Sequence, residues 1–254
     1  MKAITSNVEE LDLGFEYSHL ELPPSVFSCK TLVVLKLSGR IRIMVPSTAC
    51  LPNLKSLYLN FLRFLDDESA ANLISCCVAL ENLSIQRNAC DEVRKLRIHK
   101  PTLRSFKIHY GNNIFYTDRD REDETILELN APALQYLDVK YYISDPLLVA
   151  NVGSLYKATL DLNKGRSCLS LIRCLEAFSN VKFLSLSGLT RGLKLEQGFP
   201  SVKLLKLTHL TLGARCVWRP MLPDFLQCFE KLEVLGLTKV RVIAAKNQVS
   251  RTPN

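Results

Sequence analysis

The chain has 254 residues, a formal net charge of +8 and a hydrophobic fraction of 47%. This fraction excludes an intrinsically disordered chain. The charge-free stretches, about a dozen residues at most, are shorter than the roughly 20 apolar residues of a membrane span. Leucine accounts for 45 residues and glycine for only 10, which favours long helices or a repeat built on leucine. The spacing of the leucines decides between these possibilities.

The nine cysteines predict thiols rather than disulfides or a metal site. Their number is odd, Cys76 and Cys77 are adjacent, and no pair has the C-x-x-C spacing. The first ten residues contain no apolar core of a signal peptide. We therefore expect reduced, buried cysteines that fill space in the core, and a location in the cytoplasm, the nucleus or both.

One short phrase recurs along the chain: an apolar residue, two residues of any type, an apolar residue, one residue of any type, and an apolar residue. It begins at eleven positions, which are Val8, Leu32, Leu54, Leu80, Val93, Leu103, Leu134, Leu155, Val181, Leu207 and Leu232. Most intervals between full repeats are 21 to 26 residues. Leucine-rich repeats have an L-x-x-L-x-L core and a period of about 20–29 residues. The sequence therefore predicts an α/β leucine-rich repeat solenoid of about ten repeats over residues 1–239, with a flexible C-terminal tail over residues 240–254.

Each phrase predicts a short strand whose middle and last apolar residues point into the coil, while alternate residues point outward. The strands stack into a curved parallel sheet on the concave side, and helices and irregular turns cross the convex side. We predict helices in the return segments over residues 66–77, 167–178 and 220–229, and an irregular return over residues 39–49. The phrase at Val93 is too close to its neighbours for a full repeat with a helix.

The interval after Leu103 is long and predicts a loop insertion near residues 111–125. It contains Gly-Asn-Asn and a run of charged residues over positions 118–124. A solvated loop is the favoured interpretation, and a docking element is the alternative.

Four segments carry distinctive phrases in a fixed order. They read LELPPSVFSCKTLVVLKLSGRIRIMVPSTACLPNLKSLYL over residues 20–59, DDESAANLISCCVALENLSI over 66–85, KPTLRSFKI over 100–108 and NAPALQYLDV over 130–139. These phrases closely resemble the repeat region of the plant F-box/FBD/LRR-repeat proteins. The resemblance covers roughly residues 8–239 and is weaker after residue 160.

The resemblance implies a recognition role. In that family an N-terminal F-box docks on a Skp-type adaptor of an SCF ubiquitin ligase, and the repeats select the substrate. Only the repeat array matches here, without an F-box or an FBD segment. The resemblance therefore implies a protein-interaction module for an unknown substrate or ligand, with adaptor binding only in a longer form that contains an F-box. The alternative is an orphan leucine-rich repeat scaffold or binding protein with no role in ubiquitin ligation.

The outward strand positions form the predicted partner-binding face. In the middle of the array these positions are basic and aromatic. Eight residues are the candidates for partner binding, namely Lys95, Arg97, His99, Lys107, His109, Lys140, Tyr58 and Tyr136. A wall of cations and aromatic rings suits a protein ligand with acidic groups, and a solvated polar face is the alternative.

The sequence contains no catalytic or cofactor motif. The patterns G-x-x-x-x-G-K, G-x-G-x-x-G, H-E-x-x-H and G-x-S-x-G do not occur, and none of the four histidines lies in a recognisable catalytic motif. We therefore predict a protein that is not an enzyme and has no cofactor or metal. Nucleic acid is an unlikely partner, because no zinc-finger spacing, RNA-binding signature or heptad basic region accompanies the positive charge.

Overall fold

A computed structural model describes most of the array. The described residues are 7–15, 22–39, 41–87, 93–110, 126–142, 147–163, 169–188, 204–213, 225–227 and 229–238. The predicted loop insertion near residues 111–125 and the predicted tail over residues 240–254 lie outside them.

The described residues form short strands joined by turns and two α-helices. In chain order the elements are β1 (Glu10–Phe15), a 3-10 helix (Pro24–Ser28), β2 (Val34–Gly39), β3 (Arg42–Ile43), β4 (Ser56–Asn60), β5 (Arg63–Phe64), α1 (Asp67–Cys76), β6 (Asn82–Arg87), β7 (Lys95–His99), β8 (Ser105–Tyr110), β9 (Ile126–Asn130), β10 (Tyr136–Tyr142), β11 (Leu147–Ala150), β12 (Lys157–Asn163), α2 (Leu169–Ala177), β13 (Phe183–Ser187), β14 (His209–Gly213) and β15 (Val234–Thr238).

Ten of these strands form one parallel sheet, which we call the main sheet. Its order is β1-β2-β4-β6-β8-β10-β12-β13-β14-β15. Neighbouring strands pair so that equivalent positions of successive phrases lie side by side, as Leu35, Leu57 and Leu83 do. Because side chains alternate along a strand, these leucines point inward and are buried, while the residues between them reach the surface. The predicted leucine-rich repeat solenoid is confirmed.

The inward residues make a single continuous core. Leu35 and Leu57 are fully buried, and each such leucine stabilises the fold by about 1.5–3 kcal/mol relative to an exposed position. One coil alone would leave these side chains in water on both of its flanks, so each coil is stable only when stacked on its neighbours.

The predicted helix over residues 66–77 is confirmed as α1. The Asp66 side chain caps its N-terminus by accepting a hydrogen bond from the Ser69 N–H at 2.6 Å. At the other end, the buried Lys100 Nζ donates to the carbonyl oxygens of Ser75 at 3.2 Å and Cys77 at 3.0 Å, where the helix leaves carbonyls without partners. Burial lowers the pKa of Lys100.

The other predicted returns have mixed outcomes. The helix expected over residues 167–178 is confirmed as α2, and only residues 225–227 and 229 of the one expected over residues 220–229 are described. The return over residues 39–49, expected to be irregular, contains β3, which pairs in parallel with β5. Neither helix in the described part of the chain is long and apolar enough to cross a membrane.

The phrase at Val93 does not form a strand of the main sheet. β6 and β8 pair directly from Asn82–Ser105 to Arg87–Tyr110, which leaves no place for β7 between them. β7 pairs instead with β9, and β9 with β11, in a parallel sheet that we call the return sheet. The prediction that β7 contributes to the concave sheet is therefore wrong.

The return sheet lies between the two helices, since α1 packs against β7 and α2 against β11. Asp67, in the first turn of α1, fixes the start of β7. Its Oδ1 accepts hydrogen bonds from the N–H groups of Arg94 at 2.7 Å and Lys95 at 3.0 Å. The convex side therefore carries a short sheet in addition to the predicted helices and turns.

The cysteines are partly as expected. Cys77 and Cys174 are buried free thiols, and burial raises the pKa of Cys174 to about 12. Cys50 is a free thiol but is exposed, so the expectation of burial is wrong there.

Candidate partner-binding surface

The outward residues of the main sheet form continuous rows across its strands, and we call this surface the outer face. The first row consists of Glu10, Val34, Ser56, Asn82, Ser105, Tyr136, Lys157, Phe183, His209 and Val234. The second consists of Asp12, Lys36, Tyr58, Ser84, Lys107, Asp138, Thr159, Ser185, Thr211 and Gly236. A third, beside the second, runs through Gly14, Ser38, Asn60, Gln86, His109, Lys140 and Asp161 to Ser187. The first two rows confirm the predicted outward positions of ten phrases.

The eight predicted binding residues are divided between two sheets. Five lie on the outer face, namely Tyr58, Lys107, His109, Tyr136 and Lys140. The other three, Lys95, Arg97 and His99, lie on β7 in the return sheet. The prediction that all eight share one surface is wrong, because β6 and β8 pair directly and exclude β7. Their roles in binding a partner stay predictions.

The cations of the return sheet are paired with a carboxylate. Arg97 lies opposite Glu128 on β9, and its Nε is 3.0 Å from Glu128 Oε2. Lys95 Nζ is 2.8 Å from Glu128 Oε1. The hydrogen bond from Lys95, with further help from Arg97, lowers the pKa of Glu128. These cross-strand pairs neutralise part of the charge of Lys95 and Arg97, which the sequence pattern predicted to contact acidic groups of a partner.

On the outer face, Asp138 offsets part of the predicted basic patch. Its Oδ2 lies 3.1 Å from His109 Nε2 and 3.9 Å from Lys107 Nζ. Burial lowers the pKa of His109, although the nearby Asp138 acts in the opposite direction. Lys140 lies beside His109 in the third row and makes no ion pair with the described residues.

The outer face as a whole has no excess of positive charge. At the β1–β2 end, Lys36 Nζ is 2.6 Å from Glu10 Oε1 and 3.9 Å from Asp12 Oδ2. The described residues of the three rows hold four carboxylates and four ammonium groups, which are Glu10, Asp12, Asp138, Asp161, Lys36, Lys107, Lys140 and Lys157. The expected basic character therefore does not extend over the outer face as a whole.

A group of four rings, two exposed and two half-buried, lies at the outer face between β10 and β14. We call this group the aromatic row, and its members are Tyr136, Tyr156, Phe183 and His209. The ring centroid of Phe183 is 5.1 Å from that of Tyr156 and 4.4 Å from that of His209. Tyr136 is 48% exposed and Tyr156 is 40% exposed. The sequence placed Phe183 and His209 outward but gave no sign that their rings touch.

The position of Tyr156 and the return sheet were not predicted, although the sequence carries a sign of each. Tyr156 lies one position before a strand, outside the alternating pattern. Two of the three strands of the return sheet carry apolar residues two positions apart, shortly before a proline: Leu96 and Ile98 precede Pro101, and Leu127 and Leu129 precede Pro132. In the part of the chain that the structure describes, no cluster of His, Cys, Asp and Glu side chains could hold a metal ion.

Comparison with known proteins agrees with the fold. Residues 2–146, a little over half of the chain, match the family model of the repeats of FBD-associated F-box protein At5g56370. The F-box/FBD/LRR-repeat protein At4g13965 of Arabidopsis thaliana is 30% identical over 97% of this chain and 55% of its own length. The F-box/FBD/LRR-repeat protein At1g66300 of the same plant is 34% identical over 63% of this chain and 33% of its own length. The F-box/FBD/LRR-repeat protein At5g56420, also from this plant, is 27% identical over 88% of this chain and 50% of its own length. No solved structure matches the chain.

The stacked repeats and their continuous outer face define a leucine-rich repeat protein-interaction module. The chain belongs to the plant F-box/FBD/LRR-repeat family. It spans between a third and just over half of the length of the relatives described above.

Proposed function

We propose that this array is the substrate-recognition part of an F-box subunit of an SCF-type ubiquitin ligase, and that it binds a partner protein without catalysing a reaction. The observation that carries the proposal is the outer face, where ten parallel strands in register present side chains that the core does not need. Relatives named F-box proteins support the link to ubiquitin ligation.

The outer face has the size that a protein partner requires. Strands lie about 4.8 Å apart, so ten strands extend over about 43 Å. A stable interface buries about 800 Å² on each partner, which a face of this length accommodates. The face is also pre-formed, because its strands are anchored in the core, as Tyr58 of the second row is by the buried Leu57 and Leu59 on either side. Little backbone ordering is needed when a partner binds.

We propose that Lys107, Lys140, Tyr58 and Tyr136 contact the partner, with acidic groups of the partner near the two lysines. Lys107 shares Asp138 with His109, while Lys140 has no anionic partner among the described residues. We also propose a location in the cytoplasm or nucleus, and a fluorescent fusion tests it.

The test uses the full-length gene product that carries this array, tagged and expressed in plant cells. We expect a Skp-type adaptor to co-purify, and the recovered partner to accumulate when the proteasome is inhibited. Charge reversal by K107E and K140E should lower recovery of the partner by about tenfold and leave recovery of the adaptor unchanged.

The comparison variant is K95Q with R97Q, which removes two cations from the return sheet. If the partner binds the outer face alone, its recovery stays unchanged in this variant. If no adaptor co-purifies and the partner is insensitive to proteasome inhibition, the protein is a binding protein with no ubiquitin-ligase role. If K107E and K140E have no more effect than the comparison variant, the assignment of the contact residues is wrong.

A further inference from the structure

We propose that the aromatic row is the principal anchor of the outer face and that it takes a short, extended, acidic peptide segment bearing an apolar side chain. This inference rests on the proposed function, because it names the chemistry of the partner that the outer face recognises. It extends the predicted contact region from Tyr136 towards β13 and β14 and adds packed rings as the main contact.

Three of the four rings pack on one another as a platform. Phe183 lies between Tyr156 and His209, with centroid distances of 5.1 Å and 4.4 Å. The His209 ring is held in turn by Thr208, whose Oγ1 lies 2.8 Å from His209 Nδ1. Rings that are already packed lose little side-chain entropy when a ligand binds, which is the property of aromatic hot spots.

The fold does not require aromatic residues at these positions. The equivalent first-row positions on β4, β6 and β8 are Ser56, Asn82 and Ser105, and their strands pair with the same register. Tyr136 and Tyr156 therefore leave apolar ring surface in contact with water, which is unfavourable, and neither ring contributes to the core in return. A partner that covers the rings would recover this free energy.

The cations around the row determine the charge of the ligand. Lys157 lies in register between Tyr136 and Phe183, and Lys182 Nζ is 5.7 Å from the centroid of the Tyr156 ring. Neither lysine makes an ion pair with the described residues. A segment with carboxylates beside an apolar residue would satisfy both the rings and the lysines.

The geometry sets the length of the segment. The row crosses β10, β12, β13 and β14, which is about 14 Å at about 4.8 Å per strand. An extended chain rises about 3.4 Å per residue, so about four residues cover the row. A single-stranded nucleic acid also stacks on aromatic rings, but it needs a continuous positive groove along its backbone, and the described rows of the outer face hold as many carboxylates as ammonium groups.

The experiment selects random peptides of about eight residues, roughly twice the length of the row, on the whole chain. We expect enriched peptides to carry Asp or Glu next to Leu, Phe or Trp. In fluorescence anisotropy, the labelled peptide should bind the Y156A/F183S variant at least about tenfold more weakly, and K157A/K182A similarly. Serine occupies the position equivalent to Phe183 on β4 and β8, so F183S is compatible with the coil, and circular dichroism checks that the variant folds.

The matched control is V34A, which removes an apolar side chain from the first row on β2 of the same face and should change the affinity by less than about twofold. The inference is overturned if no peptide is enriched, if the enriched peptides are basic, if they bind Y156A/F183S as well as the unchanged chain, or if a single-stranded oligonucleotide binds the aromatic row more tightly. Failure here with adaptor recovery intact would leave the proposed function standing. Peptide binding without adaptor recovery would overturn the ubiquitin-ligase role alone.

Discussion

A glycine at the end of β2 determines how the first two strands of the main sheet pack. Gly39 lies opposite Phe15 of β1 and has a φ of +105°, a conformation that other residues rarely adopt. A Cβ at this position would lie 1.9 Å from the Phe15 carbonyl oxygen. Replacing Gly39 with alanine should therefore loosen the pairing of β1 with β2.

The structure gives the size of this effect. The unfavourable backbone conformation costs about 1–3 kcal/mol for a residue with a Cβ. An ordinary carbon–oxygen contact is about 3.3–3.6 Å, so β1 must move by about 1.4 Å or more and give up at least one hydrogen bond, worth about 1 kcal/mol. We therefore expect G39A to destabilise β1 by about 3 kcal/mol, which corresponds to about a hundredfold in the local opening equilibrium.

Hydrogen exchange followed by mass spectrometry measures this opening directly. Peptides covering β1 should exchange about a hundredfold faster in G39A, while those covering β12 should not change, because repeats couple only to their neighbours. G153A is the control, since a Cβ at Gly153 meets nothing within 4 Å. If β1 exchanges at the unchanged rate, or if β12 accelerates as much as β1, the reasoning about Gly39 is wrong.

Three further predictions concern single polar contacts. D66A removes the cap that accepts the Ser69 N–H and should lower the free energy of unfolding by about 1 kcal/mol in urea titrations, whereas D66N keeps the cap and should cost less than half of that. Burial lowers the pKa of His109 from its ordinary value of 6.5. As the pH falls below about 6.5, the unfolded chain therefore binds a proton at this imidazole before the folded chain does. The free energy of unfolding of the wild-type chain should fall in this pH range, and that of H109Q should fall less. E128Q separates Lys95 and Arg97 from their carboxylate and should cost less than about 1 kcal/mol at neutral pH, with no cost once acid protonates Glu128.

The main sheet could be predicted because its signal is local and repeated. In each phrase the last two apolar residues are separated by one position. The structure buries both in the inner phrases, as with Leu57 and Leu59, whereas Leu235 and Leu237 of the last phrase are exposed. The helix α1 was equally predictable, since Asp66 and the acidic residues after it stand just before an apolar run. Both depend on residues close together in the sequence.

The return sheet could not be predicted from the phrase at Val93 because this phrase has the same spacing as the others. The phrases differ in which strands of the sequence they pair with. β6 pairs directly with β8, and β7 pairs with β9. The pairing of two predicted basic residues with a carboxylate could not be predicted for the same reason. Glu128 is about 30 residues from Lys95 and Arg97, and only the register of the return sheet brings it to them.

The distribution of charge connects this fold to the proposed mode of recognition. The chain has a net charge of +8, yet the described rows of the outer face hold as many carboxylates as ammonium groups. A face without a net charge gives little long-range attraction, so selectivity on it depends on local features such as the aromatic row. That row joins rings from residues 136 to 209 through strand register alone, and a shift of one residue in any of its strands would turn a ring into the core. Return segments that change length while keeping this register leave the row intact, and recognition would then tolerate variation in the returns but not in the strands.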